Sequence, residues 1–566
     1  MARSGAVALA TCGLAAALVL PSSASARNAW LEDWASRAQI ALDAADPAAE
    51  PFDAPVKLAI EPLPVRTPSA EEKRVSDETI ALYDATIGAN TAASYLWAGI
   101  ETGNPLTRDE SYRWDSLDDA GLFDAGRRAK TIAELQAMGV FNLRIGLSGH
   151  RINLDDAASW AEHDGLIRDF AGAGVNLSLD LHHFGVEDRF RTLTADGRTD
   201  HARSYYLHPE WPGYFARFAR EAYRRYAGDV KAVTLINEPE TTVGFNSEMW
   251  HGGYPGWGDP RHHVVYVERA FAIATAAVKA RLAIEIEAAE QGRRPLYMHT
   301  EAAVFKPGRP EFNRFLRFFP SDLILGKAWL FDADPAALAN TPPEALAKRW
   351  ALTPPAERTS LDWAVARYVG AAGGEGERAR RRDRLAEMIA TLQHAHAELK
   401  RVTGKSMRAD TLFGVDYYAH NEDRGTSGDR LSPEPQLYAA QVAAGERAGL
   451  YRAIVAYYDR YRLPIVIGET GTPFYAYGAR WHAQMLLEQA QAMAQGVPML
   501  GHVMYPLIDT WGWETALSVP KERTTVNTGG LLDVTLAPRP YVDVLLRALD
   551  SRATAAVAAE PESAVQ

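Results

Sequence analysis

Cysteine is all but missing from this sequence: the 566 residues include one, Cys12. It falls inside an N-terminal stretch that reads as a leader, so the mature chain is expected to have no cysteine and no disulfide. A lipoprotein reading of Leu9-Ala10-Thr11-Cys12 is disfavoured, because Cys12 precedes the end of the apolar stretch and Thr11 stands where a small residue belongs. Basic residues are in deficit, 60 against 72 acidic for a formal net charge of -12, which argues against a nucleic-acid or anionic-membrane partner. Past the leader, no run approaches the ~20 uninterrupted apolar residues of a membrane span. There is no internal repeat, and no glycine-rich dinucleotide fingerprint follows the first predicted strand. The adjacent His182 and His183 lack further ligands at the spacing a metal site needs, so neither metal nor cofactor is expected.

The leader spans residues 1–26. Arg3 supplies the positive start, Ala6 to Leu20 the apolar stretch and Ala24-Ser25-Ala26 a small-residue cleavage site, which predicts a periplasmic or secreted product beginning near Arg27. The composition, 47% hydrophobic and 23% charged, is that of a globular chain able to bury a large core. Residues 27–90 carry Pro51, Pro55, Pro62, Pro64 and Pro68 with weak periodicity, and read as an extended arm or short capping helices packed on the main domain. The Ala-rich residues 551–566 read as a disordered tail.

Between them, apolar strand-like runs alternate with amphipathic helical stretches. Strands are expected at Ala93 to Ala98, Val140 to Ile145, Val175 to Leu181, Val230 to Ile236, Pro295 to His299, Leu412 to Tyr418, Leu463 to Gly468 and Met499 to Tyr505. The intervening helices are expected at Arg127 to Met138, Trp211 to Tyr226, Val264 to Glu287, Arg380 to Lys400, Glu446 to Tyr461 and Trp481 to Gln495. Eight strands in this alternation argue for a single α/β domain over residues 91–550, a (β/α)8 TIM barrel. The fifth and sixth strands are separated by an insertion of about 110 residues, roughly 302–410, with Pro342-Pro343, Pro354-Pro355 and a glycine-rich stretch from Gly370 to Gly376. An insertion of that length forms a lid, a substrate wall or a plain structural excursion.

Two strands end in carboxylates. Val233-Thr234-Leu235-Ile236 runs into Asn237-Glu238-Pro239, and Pro464-Ile465-Val466-Ile467 into Gly468-Glu469-Thr470-Gly471. Barrel enzymes place their chemistry at strand C-termini, and paired carboxylates there suit acid/base work on a glycosidic bond. Cleavage with retention needs a carboxylic acid to protonate the departing oxygen and a carboxylate about 5–5.5 Å away to attack the anomeric carbon. Glu238 is the candidate acid/base and Glu469 the candidate nucleophile, the latter kept ionised by neighbouring donors.

From about Ser94 to Val534 the motifs resemble those of glycoside hydrolase family one, the retaining β-glucosidase family, in the wider clan of (β/α)8 retaining glycosidases. Ser94-Tyr95-Leu96-Trp97-Ala98 resembles the family's Phe-Leu-Trp-Gly, Phe141 to Ile145 its Tyr-Arg-Phe-Ser, and Leu181-His182-His183-Phe184 its Leu-Tyr-His-Trp. Thr234 to Pro239 resembles the acid/base motif, Phe413 to Tyr418 the Gly-Leu-Asn-Tyr-Tyr strand, and Ile467 to Gly471 the Thr-Glu-Asn-Gly of the nucleophile. Tyr505 to Trp513 and Gly529 to Asp533 resemble the eighth-strand region. The resemblance implies that Arg144 lies beside Glu469 and lowers its pKa, and that Asn237 binds the sugar 2-hydroxyl. It further implies that His183 contacts another hydroxyl, Tyr418 (or Tyr417 in the other register) touches the nucleophile, and Trp513 stacks on the sugar ring.

Several residues depart from the family pattern. Glu101 stands near the usual Gln, Gly512 replaces the usual Glu of the eighth-strand loop with Glu514 displaced by two, and Asp416 stands for Asn; Gly468 and Thr510 are also altered. Glu101, Glu301, Asp509 and Glu514 are the candidates to replace the lost grip on the sugar. The expected function is therefore an exported β-glucosidase-like retaining glycosidase acting on an oligosaccharide or glycoside. A transglycosylase would use the same residues, and a catalytically silent carbohydrate-binding barrel is the alternative from another class. Sugar, linkage and oligomeric state are not encoded in any of these motifs.

Overall fold

The computed structural model describes residues 63–88, 92–106, 112–197, 199–200, 203–248, 260–305, 313, 316–342, 344–345, 348, 352, 360–422, 435–473, 475–511, 526–540 and 542. The expected leader, the first part of the arm, the C-terminal tail and Trp513 lie outside them.

Eight parallel strands close into a barrel in sequence order: β1 Leu96–Gly99, β2 Asn142–Gly146, β3 Asn176–Asp180, β4 Val230–Thr234, β5 Leu296–Ala302, β6 Thr411–Asp416, β7 Ile465–Thr470 and β8 Met499–Met504. Helices cover the outside, and the fold is a single (β/α)8 barrel. Strand ends fall within about two residues of the sequence reading except at two places. Ala92–Tyr95 forms a helical turn rather than the start of β1, and β5 continues to Ala302. That extension pairs Glu301 with Val415 and Ala302 with Asp416, so the longer β6 ladder holds it.

The arm residues 63–88 build helix α1, Ala70–Ile87, and a lead-in segment strapped to the outer layer by Leu63 N–H donating to Tyr451 Oη at 3.2 Å. Ser69 starts α1 with a reciprocal cap: its hydroxyl accepts from Glu72 N–H, and Glu72 accepts from Ser69 N–H at 2.8 Å. Ser76, Thr79, Tyr83 and Ile87, three to four residues apart, form the buried stripe. Tyr83 and Ile87 enter the N-terminal end of the barrel, packing with Trp97, Leu296, Leu412, Val466 and Leu500. The Tyr83 hydroxyl hydrogen-bonds the carbonyls of Ser94 (3.1 Å) and Leu500 (2.9 Å), so its polar tip is satisfied inside an apolar plug.

The remaining major helices are α2 Ala125–Ala137, α3 Ala161–Gly172, α4 Trp211–Tyr226, α5 Pro260–Glu290, α6 Glu375–Thr403, α7 Gly449–Tyr461 and α8 Gly478–Ala494. The described part of the β5–β6 insertion is helical, and its longest helix, α6, packs along α5 on the outer layer. Among the described residues no helix is long and apolar enough to cross a membrane.

Strand alternation separates two environments. On β5 and β6, Leu296, Met298 and Leu412 point into the lumen, whereas Tyr297, Phe413 and Val415 join the core beneath the helices. Replacing Tyr83 by Ala empties the plug and is expected to cost about 3–5 kcal/mol in urea unfolding. Leu193→Ala, at a side chain 55% exposed, is expected to cost under about 0.5 kcal/mol in the same assay.

Candidate functional site

The polar cluster occupies the C-terminal end of the barrel, the opposite end from the plug. Arg144 on β2 is its centre and is 1% exposed. Its Nε donates to Asp180 Oδ1 at 3.1 Å, and its Nη1 to Glu469 Oε1 at 3.0 Å and the Gly468 carbonyl at 2.9 Å. Its Nη2 donates to Asn237 Oδ1 and, at 3.3 Å, to Thr300 Oγ1.

Glu469 reaches this cluster through an irregularity. Strict alternation after the lumen-facing Val466 would turn Glu469 outward, towards the helices. Instead, the pairing slips between Val415 and Asp416 on one side of β7 and between Ile467 and Thr470 on the other. This is a bulge that places two residues against one and re-aims the side chain inward. Thr470 then faces out, where its hydroxyl accepts from Trp481 Nε1 at 2.9 Å. Glu469 Oε2 accepts from the Tyr418 hydroxyl at 2.8 Å.

Glu238 is delivered by a second irregularity. Its φ is +42°, a left-handed conformation that side chains rarely adopt and that often marks functional strain. It lies between the end of β4 and a short helix, Pro239–Glu248. An oxygen of Glu238, one of Glu469 and one of Asp416 all lie within 4.8 Å of one another.

Asn237 and His183 stand beside the pair. Arg144 and the Thr300 hydroxyl (2.9 Å) both donate to Asn237 Oδ1, which fixes the amide so that Nδ2 faces His183 Nε2 at 3.2 Å. His183 Nδ1 meets Asp180 Oδ2 at 3.3 Å, and Glu101 Oε1 lies 3.5 Å from its Nε2. Glu101 is itself held by Gly103 N–H at 2.7 Å.

The electrostatics distinguish the two glutamates. Burial, then the charge of Glu469, pushes Glu238 up from 4.5 to about 8. Glu469 is also raised by burial, against the pull of Arg144, His183 and the Tyr418 hydroxyl. Arg144 does pull Glu469 down, as the sequence reading expects, but burial in the same cavity outweighs it. Burial and the neighbouring charge of Glu469 thus favour the protonated form of Glu238. Burial alone would lower His183, but Glu101, Asp180 and Glu469 outweigh it and raise its pKa. Asp180 is lowered because Arg144 and His183 overcome its burial.

Other expected residues are placed elsewhere. His182 turns outward to the Tyr206 hydroxyl at 2.9 Å, and Tyr417 outward to Glu422 and Tyr438. Glu301 does not face the lumen. Thr300 takes the lumen position on β5, so the next residue points out, where Glu301 accepts from Ser321 Oγ at 2.6 Å and Glu240 N–H at 3.0 Å. Asp509 is taken up by Arg539 and by Gly530 N–H at 2.9 Å, bracing a loop rather than binding. Glu514 and Trp513 lie outside the described residues. Asp180 and Thr300 are missing from the sequence reading. Inward parity on β3 and β5, counted from the motif residues, is the signal that would have found them.

Glu238, Asp416 and Glu469 are the set among the described residues whose spacing could hold a metal ion. The guanidinium of Arg144, 3.0 Å from Glu469 and 3.6 Å from Asp416, already fills the cationic role there.

No family model matches the sequence, and no curated protein matches it. Solved structures do share the fold. Fpglu1 from Fervidobacterium pennivoraus superposes with a TM-score of 0.50 at 14% identity, over 81% of this chain and 96% of that one. A family 1 β-glucosidase from Thermotoga maritima gives 0.48 at 12% identity, over 81% and 97%. The AHE enzyme from Alicyclobacillus herbarius gives 0.48 at 12%, over 82% and 98%. At 14% identity the likeness to Fpglu1 is one of fold.

Folded Glu238 keeps its proton to about 8, whereas an exposed carboxyl releases it near 4.5, so the folded state loses stability as pH climbs between these values. Glu238→Gln cannot ionise. Calorimetry across pH is expected to find this variant melting above wild type at pH 8 and level with it at or below pH 4.5.

Proposed function

We propose that this chain is a retaining β-glycosidase, β-glucosidase-like, that hydrolyses O-glycosidic bonds by double displacement and is exported by the leader at residues 1–26. The observation that carries the reading is the pair of strand-end glutamates. One oxygen of each lies within 4.8 Å of the other, a proximity compatible with the ~5–5.5 Å between carboxyl groups that retaining enzymes use.

Glu238, protonated up to about pH 8, gives its proton to the departing oxygen. Glu469, oriented by Arg144 and Tyr418, attacks the anomeric carbon from the opposite side and forms a glycosyl-enzyme ester. Glu238, now ionised, takes a proton from water, which displaces the sugar and restores both groups. The Asn237 amide, locked by Arg144 and Thr300, is positioned to donate to the 2-hydroxyl, a bond that strengthens as positive charge develops on the ring. His183 and Glu101 supply further polar groups to the sugar, and Trp513 is assigned to stacking from the sequence.

Alkyl β-glycosides of glucose, galactose, xylose, fucose and mannose test the reading. Glu469→Gln and Glu238→Gln are each expected to lower kcat/KM by about 10²–10⁴-fold, and a 2-fluoro-glycoside should leave its covalent adduct on Glu469. Absence of any turnover in the wild-type chain, or an adduct on a different residue, would overturn it. Activity should decline as pH rises through about 8, where Glu238 loses the proton it must donate.

A further inference from the structure

Asp416 closes β6 with its side chain fully buried, and neither carboxyl oxygen has a hydrogen-bond partner among the described residues. Unpartnered buried carboxyls are costly, and an ionised one is the costliest. The nearest cation is Arg144, at 3.6 Å from Asp416 Oδ1. A guanidinium has five N–H donors. Those of Arg144 are committed to Asp180, Gly468, Glu469, Asn237 and Thr300, so none remains for Asp416.

The groups facing Asp416 make a second negative charge there harder still. They are Arg144 from β2, Asp180 from β3, Glu238 after β4, Thr300 from β5 and Glu469 from β7. One cation thus already serves two carboxylates, Asp180 and Glu469, before Asp416 is considered. Room for the extra carboxyl comes from its neighbour: a Cβ at Gly468 would collide with Asp416 Oδ1.

We propose that Asp416 is a positioning residue that stands in the site as a neutral acid, placed to donate its O–H to the carboxylate of Glu469, one oxygen of which lies within 4.8 Å of one of its own, as an amide would. The proposal rests on the glycosidase reading for the purpose of that donor, but not for its existence. A neutral carboxyl gains a donor that an ionised one lacks, and it holds Glu469 without adding a further charge. Burial and the charge of Glu469 both raise the pKa of Asp416, in line with this state.

Infrared spectra of the full chain carrying ¹³C-carboxyl aspartate test the proton directly. Among the described residues, Asp509 is the other buried aspartate displaced upward, to about 6. At about pH 7.5 a label-sensitive carboxylic-acid band is therefore expected from Asp416, and it should vanish in Asp416→Asn. No such band in wild type overturns the proposal, whether or not any glycoside is cleaved. Kinetics supply the second arm: Asp416→Leu should lower kcat/KM at least tenfold and Asp416→Asn should recover most of that loss. Equal losses in the two variants would mean that an ionised carboxylate is required, and would also overturn it.

Discussion

The arrangement depends on one guanidinium. Arg144 spends its donors on four neighbouring strand ends, and each bond fixes something different: the nucleophile candidate Glu469, the carbonyl before it, the amide of Asn237, the hydroxyl of Thr300 and the carboxylate of Asp180. Asp180 in turn orients His183. Burying a charge this deeply is unfavourable unless it is paired and fully hydrogen-bonded, and Arg144 meets both conditions. A planar fork with fixed directions does this where a lysine, a point charge on a flexible stem, would not.

Around that centre the lumen is stratified. Its lower part is apolar, built from Leu296, Met298, Leu412, Val466 and Leu500 and stopped by α1; its upper part is polar. The change occurs within single strands, between Met298 and Thr300 on β5 and between Leu412 and Asp416 on β6. Gly414 lies between the latter two, where a side chain would strike Thr300. Glu238, Glu469 and Asp416 are all raised by their own burial at the polar end.

The barrel was legible because β-branched runs and amphipathic stretches alternate with little ambiguity, and both glutamates were legible because apolar strands end on them. Geometry that breaks period was not. The bulge beside Glu469 and the left-handed backbone at Glu238 carry no local sequence mark beyond the motifs, and simple alternation would have sent Glu469 to the wrong side. Glu301 illustrates the reverse error. It is an acidic residue at a strand end, yet the parity set by Thr300 sends it to Ser321. Asp180 and Thr300 went unseen because each matters only through Arg144, a partner far away in sequence.

Helix α1 precedes all eight strands, yet its Tyr83 bonds the carbonyl of Leu500 on the last of them, 417 residues away. The stopper therefore cannot seat until the final stave arrives. Loop-closure entropy falls due before that contact rewards it, so sealing belongs to the late, slow part of folding.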